Sequence, residues 1–232
     1  MKKFIRKLIT LILIICLCVL GYFSALGYMV YRDSIKEQSI EERVAEIKGR
    51  ENYTSLSEIS ETFTDAVIAV EDSRFYKHGG IDLVSFVRAM VTNIRSKELA
   101  QGGSTISQQF AKNLLFSHEQ SISRKAGEFF ATYNIEKEYS KDEILELYLN
   151  IIYYGDGYYN IYDASMGYFG VEPKDMTAYQ ATLLAGIPNA PSVYAPTKNP
   201  ELAHKRQDKV LERMVETKVL TEEEKEKILE ER

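Results

Sequence analysis

Tryptophan is absent from these 232 residues, and cysteine (two) and histidine (three) are scarce. Cys16 and Cys18 sit together in one apolar run, where they read as lipid-facing or packing residues, so no disulfide braces the rest of the chain. His78, His118 and His204 are scattered and no His-Glu-x-x-His occurs, so the sequence offers no metal signature. Neither a Gly-x-Ser-x-Gly elbow nor the Gly-Lys-Ser/Thr ending of a Walker loop is present. A basic surplus is missing too. The chain carries 29 basic and 34 acidic residues, and the first 32 positions hold Lys2, Lys3, Arg6, Lys7 and Arg32 with no acid. Setting those five aside leaves 24 bases against 34 acids, a net −10, which excludes nucleic acid as a partner.

What is present fits a globular chain, with 45% apolar and 27% charged residues. The length suffices for one domain of about 170 to 200 residues beside a membrane anchor. Leu8 to Tyr31 is a stretch of 24 residues without a charge. At about 1.5 Å per residue it reaches about 36 Å, more than a hydrocarbon core of about 30 Å. Four basic residues precede it, so the positive-inside rule predicts a type II protein of the cytoplasmic membrane, with everything after Arg32 outside. A cleaved signal peptide is the rival reading, but its apolar region is usually about 7 to 15 residues and no Ala-x-Ala-like site follows here. The expected layout is a basic tail (1–7), a transmembrane helix (8–31), a polar stalk (32–62), a folded domain (63–220) and a charged terminal helix (221–232).

Within the domain the apolar spacing is helical. Leu83, Val84, Phe86, Val87, Met90, Val91 and Ile94 recur at three and four residues behind Asp82 as N-cap, and Gly102 and Gly103 break the pattern. Helices are predicted from near Ser104 or Thr105 to Phe116, from about Ser123 to Tyr139, and from the Ser140/Glu143 capping box through Ile152. Shorter ones follow over 161–169 and 177–185, then an amphipathic helix over 201–217 and a last one capped by Thr221 and Glu224. No alternating strand pattern interrupts them, so the fold class is mainly α.

Three segments suggest chemistry. Glu71 closes an apolar run, Ala66 to Val70, and burial of that kind raises a carboxyl pKa toward the range of a general base or acid. The alternative is a helix end with ordinary charges. Thr105, Gln108, Gln109 and Lys112 fall at i, i+3, i+4 and i+7, opposite Ile106, Phe110 and Leu114. Amides, a hydroxyl and one lysine suit sugar hydroxyls and phosphate oxygens, although a plain polar face has the same spacing. Arg124, Lys125 and Glu128 share one helical turn, either as a surface pair or as a carboxylate held by two cations beside a phosphate. From Arg74 to Lys125 there are eight bases and three acids, in a region that would suit a diphosphate. The face from Phe86 to Ile94, flanked by Arg88, Arg95 and Lys97, reads as core packing, or as an interfacial helix through which a lipid enters. Seven tyrosines between Tyr148 and Tyr168 suit either sugar stacking or core packing.

Together these segments resemble the peptidoglycan glycosyltransferases of family 51, the lysozyme-like domain of bifunctional penicillin-binding proteins and of monofunctional membrane-anchored enzymes. The motifs that carry the resemblance are EDSRFYKHG (71–79), GSTISQQFAKN (103–113), RKAGE (124–128), KDEILELYLN (141–150) and LAGIPNAP (184–191). The resemblance covers about Ala66 to Met214. It implies a lysozyme-like glycosyltransferase domain behind a single N-terminal transmembrane helix, in a monofunctional enzyme or a shortened chain. Its partners would be lipid II, lipid-linked nascent glycan, the bacterial cytoplasmic membrane and other cell-wall synthesis proteins. It also implies that Glu71 is the general base toward the acceptor 4-hydroxyl and that Glu128 supports the donor or its diphosphate. Lys112, Arg124 and Lys125 would meet phosphates, and Ser104, Thr105, Gln108, Gln109 and Asn113 would line the sugar subsites. Divalent cations, magnesium or manganese, often stimulate the family, but the sequence shows no dedicated ligand set. The chain departs from the family at Asn160 and Asp163, where a Gly and an Ala are common, which touches the shape of the later sugar subsites.

Two other functions are consistent with parts of this pattern: a lysozyme-like hydrolase or lytic transglycosylase, and a non-catalytic cell-wall scaffold. Lys112 and Arg124 beside a glycine loop argue for a diphosphate substrate over neutral sugar, and Glu71 with Glu128 argues against a scaffold. The charge asymmetry makes one prediction of its own. Protease added to intact wall-stripped cells should digest residues 33–232, and full protection of a membrane-bound chain would overturn the orientation.

Overall fold

A computed structural model of the chain describes residues 2–96, 103–117 and 121–232, the side chains of 91–96 excepted. The expectations placed on Val91, Ile94, Arg95, Lys97, Gly102 and His118 fall outside that description. Among the described residues every regular element is a helix. The apolar N-terminal stretch forms α1 (Lys2–Ser34), long and apolar enough to cross a membrane. Its side chains from Phe4 to Leu20 are largely exposed, as lipid contact requires.

The outer end of α1 behaves differently. Gly27 and Tyr31 are buried, Gly27 against α6 (Ile122–Glu138), and the Tyr28 ring meets Phe130 edge-on at 5.5 Å. A Cβ on Gly27 would fall 2.5 Å from the Ala126 Cβ, and one on Gly127 would lie 3.2 Å from the Gly27 carbonyl oxygen. Two glycines thus let the helices approach backbone to backbone. One face of the last turns of the apolar run is therefore covered by protein, while Tyr28 and Met29 remain exposed on the other.

The segment expected to be a stalk packs into the domain instead. Ser39 and Glu42 form a capping box that opens α2 (Ile40–Lys48), and Ile40, Val44 and Ile47 line its buried face. Beyond it Thr54 exchanges two hydrogen bonds with the Asn150 side chain at 2.9 and 2.8 Å, and Glu146 accepts from the Leu56 amide at 2.7 Å and from the Tyr53 hydroxyl. The stalk reading failed because three apolar residues on a nine-residue helix are diluted by Glu, Lys and Arg on its outer side.

The domain proper is two groups of helices around one core. α3 (Glu61–Glu71), α9 (Ala178–Gly186) and α11 (Pro200–Glu216) pack on one another. α5 (Ile106–Leu115) packs on α6 and α7 (Lys141–Leu149), and Phe63, Phe75, Phe110, Tyr148 and Tyr154 are fully buried between the groups. α4 (Leu83–Ser96) starts as expected, with Asp82 Oδ1 accepting from the Val84 and Ser85 amides. α7 stops three residues short of Ile152, because Asn150 caps it and its side chain is claimed by Thr54. α8 (Ile161–Phe169) ends at Gly170 in the left-handed conformation (φ 69°), and α10 (Pro191–Tyr194) and α12 (Glu222–Glu230) complete the chain.

The described part of the α4 face does not join the core. Leu83, Val84, Phe86, Val87 and Met90 are about half exposed or more, although Ala89 and the capping Asp82 are buried. Core packing, the plainer of the two sequence readings for this face, is thereby corrected.

The packing of α2 is testable in the full chain. Ile47→Ala should lower stability by about 2 to 5 kcal/mol, as buried Ile-to-Ala changes do. In a stalk the change would stay within about 0.5 kcal/mol. Thermal unfolding in detergent followed by circular dichroism separates the two.

Candidate active site

Glu71 is the last residue of α3, and Asp72, one residue on, leaves the helix with φ −155°. Successive helical residues diverge by about 100°, so the two carboxylates face different surroundings. Glu71 Oε2 accepts from Gln109 Nε2 at 2.8 Å, and Arg206 Nη2 lies 3.6 Å from Oε1. That Oε1 is buried and accepts no hydrogen bond from the protein. Asp72 turns inward, where it accepts from the Ile106 amide at 3.1 Å and pairs with His78 Nε2 at 3.0 Å. It thereby places a negative charge at the N-terminus of α5.

α5 supplies the next wall. Thr105 and Gln108 form a capping box, with the Thr105 hydroxyl accepting from the Gln108 amide and Gln108 Oε1 from the Thr105 amide, both at 3.1 Å. The Thr105 hydroxyl also donates to the Gly80 carbonyl at 2.5 Å. Their polar atoms are thus spent largely on the helix start; the Thr-x-x-Gln pattern is the signature used at Ser140 and Glu143, and it identifies them as caps. Gln109 and Lys112 continue toward the cleft. Burial pushes the Lys112 ammonium below its ordinary pKa; Glu128 opposes this, and Lys125 and Arg124 add to the fall.

Glu128 is 1% exposed on α6. Lys125 Nζ reaches its Oε2 at 2.7 Å, Arg124 holds its Oε1, and the same ammonium donates to Ser104 Oγ at 3.2 Å. Of the two sequence readings of this turn, a surface pair is excluded: the carboxylate is buried and held by two cations.

Between these walls lies a cavity of about 570 Å³. Of the sequence candidates, Glu71, Ser104, Thr105, Gln108, Gln109, Lys112, Lys125 and Glu128 line it. Asn113 and Arg124 do not, and Arg124 acts on it only through Glu128. α4 contributes Ser85 and Arg88, and the 184–191 motif contributes Pro188 and Asn189. Sequence reasoning missed the α11 wall of Arg206, Lys209, Glu212 and Arg213. The available signal was the spacing of Arg206, Lys209 and Arg213 at i, i+3 and i+7. Gly186 makes room for this wall, since a Cβ there would sit 2.9 Å from Arg206 Cγ.

The tyrosine-rich stretch stays away from the cavity. Tyr148 and Tyr154 are core residues, Tyr153 stacks on Tyr159 at 4.6 Å, and the Tyr168 hydroxyl donates to the Tyr154 carbonyl at 2.9 Å. Asn160 and Asp163 are likewise structural. Asn160 caps α8 and bonds Asp163, which also accepts from Asn52 Nδ2 at 2.8 Å. The pair ties α8 to the segment after α2, and neither residue lines the cavity.

Among the described residues, Asp72, His78 and Asp82 bring ligand atoms within 4.8 Å of one another. The set does not fit a divalent cation. Arg74 Nε donates to Asp82 Oδ2 at 2.9 Å, the Ser85 hydroxyl at 2.6 Å, and the other carboxylate oxygens take the Val84, Ser85 and Ile106 amides and His78.

The transglycosylase family pattern matches residues 37–215, beginning just ahead of α2. Penicillin-binding protein 1F of Bacillus subtilis is 39% identical over 221 residues, which cover 90% of this chain and 31% of that protein. Penicillin-binding protein 1A of Neisseria lactamica is 43% identical over 182 residues, covering 78% and 23% respectively. A protein of Cupriavidus necator assigned as a transglycosylase is 46% identical over 165 residues, 71% of each chain. The chain spans less than a third of the length of the two penicillin-binding proteins. It belongs to the transglycosylase family, and its fold is the mainly α, lysozyme-like one.

The Asp82 cluster yields a pH prediction. Burial works against ionisation of Asp82, but the Ser85 hydroxyl and amide, Arg74 and His78 outweigh it and bring the pKa to about 2. A carboxyl depressed in the folded state stabilises fully above its unfolded pKa of about 3.9 and loses that contribution as pH falls toward 2. Asp82→Asn should therefore be less stable than wild type at pH 7, and the gap should narrow between about pH 4 and 2. Thermal unfolding across that range measures it; a constant gap would refute the linkage.

Proposed function

We propose that the chain is a peptidoglycan glycosyltransferase that polymerises lipid II into β-1,4 glycan and releases undecaprenyl diphosphate, with Glu71 as general base. The observation that carries this reading is the Glu71 carboxylate itself. One oxygen is held by Gln109, and the other is buried at a cleft wall with no hydrogen bond from the protein. A proton acceptor with a free, oriented lone pair is what a hydroxyl nucleophile requires.

In this mechanism the acceptor 4-hydroxyl gives its proton to Glu71 Oε1 as its oxygen bonds to the donor anomeric carbon. The bond from that carbon to the diphosphate oxygen breaks, and its electron pair leaves with the diphosphate. Attack opposite the leaving group turns an α-linked donor into a β-linked product. Lys112 and Lys125 face the cavity and would meet the charge that develops on the phosphates. Glu128, tied to Lys125 and Arg124, would hold those cations in place through the cycle. The exposed apolar side of α4, with Arg88 at the cavity, would rest in the membrane interface and admit the polyprenyl chain. The cationic walls also favour a lipid diphosphate over the neutral glycan a hydrolase would cut.

Glu71→Gln keeps the shape of the side chain and removes the proton acceptor. Polymer formed from lipid II should fall at least about a hundredfold, the lower end of a general-base contribution, at matched circular dichroism and lipid II affinity. Polymerisation near the wild-type rate would remove Glu71 from the mechanism. Asp72→Asn is a poor control for it, because Asp72 holds the start of α5.

A further inference from the structure

We propose that Tyr148 is a positioning residue for Glu71, acting through the side-chain amide of Gln109. This rests on the glycosyltransferase reading above and deepens it by naming the group that sets the direction of the Gln109 amide and so keeps Glu71 Oε1 the open oxygen. Three helices meet here: Glu71 ends α3, Gln109 lies on α5 and Tyr148 on α7. The Tyr148 hydroxyl donates to Gln109 Oε1 at 3.2 Å, and Gln109 Nε2 donates to Glu71 Oε2 at 2.8 Å.

A carboxamide can present either end to a neighbour, and the two ends differ in sign. With Nε2 toward Glu71 the amide donates to a carboxylate; reversed, two acceptors would face each other without a proton between them. The Tyr148 phenol decides the direction. Its ring is fully buried in the core, so it cannot swing away, and its hydroxyl offers the proton that Gln109 Oε1 accepts. Burial also pushes the phenol well above its ordinary pKa, with Glu71, Tyr154 and Asp72 adding to the rise, so it remains a donor while Glu71 is ionised.

The consequence is a choice between two otherwise equivalent oxygens. Oε2 is occupied by Gln109, so Oε1, which accepts no hydrogen bond, is the atom left to receive the acceptor's proton. The charged groups around Glu71 are Arg206 from α11, 3.6 Å from Oε1, and Lys112 from α5, with Tyr148 and Asp72 as the other titratable neighbours. None of them bonds Oε2, so the relay is the one geometric restraint on that oxygen among the described residues.

The test uses the full chain with lipid II, comparing kcat, KM and the pH dependence of kcat. Tyr148→Phe keeps the ring and removes the donor, and kcat should fall about tenfold or more with KM changed less than about twofold. Gln109→Met, similar in size and unable to donate, should reproduce that loss and serves in its place if Tyr148→Phe does not fold. Gln109→Glu sets a second carboxylate against Glu71 and should move the acidic limb of the pH profile up by about one unit. Wild-type kcat in the folded Tyr148→Phe and Gln109→Met proteins, or an unmoved acidic limb in Gln109→Glu, would overturn the proposal. If the wild-type chain forms no polymer, the glycosyltransferase reading fails, and the relay's role falls with it.

Discussion

The carboxylate of Asp72 is where the two halves of the site are fastened to each other. It accepts the first free amide of α5 and the ring of His78 while sitting one residue beyond the end of α3. The end of α3 and the loop after it are thereby joined to the start of α5, thirty-four residues on, and the charge also satisfies a helix N-terminus that would otherwise be unpaired in the interior. With that junction set, α3 must end where it does, and Glu71 is carried to a different side, where it meets Gln109 of α5 and Arg206 of α11. The candidate base is aimed by its neighbour.

A similar division of labour recurs around the cavity. Thr105 and Gln108 spend their polar groups on starting α5, which frees Gln109 and Lys112, one turn later, to face the cleft. Glu128 neutralises cations that would otherwise repel one another in a confined space. The cleft is polar, but most of its acids are committed to holding something, and Glu71 Oε1 stands out as the acceptor left over.

How much of this was legible depended on the range of the interaction. Helix starts at Asp82, Ser140 and Thr221 were readable because a cap needs only residues three apart. Glu71, Lys112 and Glu128 were readable as residues that share one cavity because each sits in a dense local motif. The packing of α2 was not, because Glu146 and Asn150, which satisfy the segment after it, lie ninety and ninety-six residues from the amides they accept. Arg206 was hidden for the same reason: on α11 it is one base among several, and only folding sets it beside Glu71. The exposed face of α4 shows the opposite limit, since apolar periodicity gives a direction for a face without saying what covers it.

The close approach of Gly27 and Gly127 joins the membrane helix to the same α6 that carries Arg124, Lys125 and Glu128. A flexible tether would let the domain tumble above the bilayer and sample many heights. A helix bolted through two glycines acts as a post of fixed length, and on α6 the cations Arg124 and Lys125 stand within three residues of the bolt at Gly127. Under the proposed reaction, a substrate confined to the same sheet of lipid would then meet the cleft by gliding sideways, at a depth set in advance by the protein's own mounting.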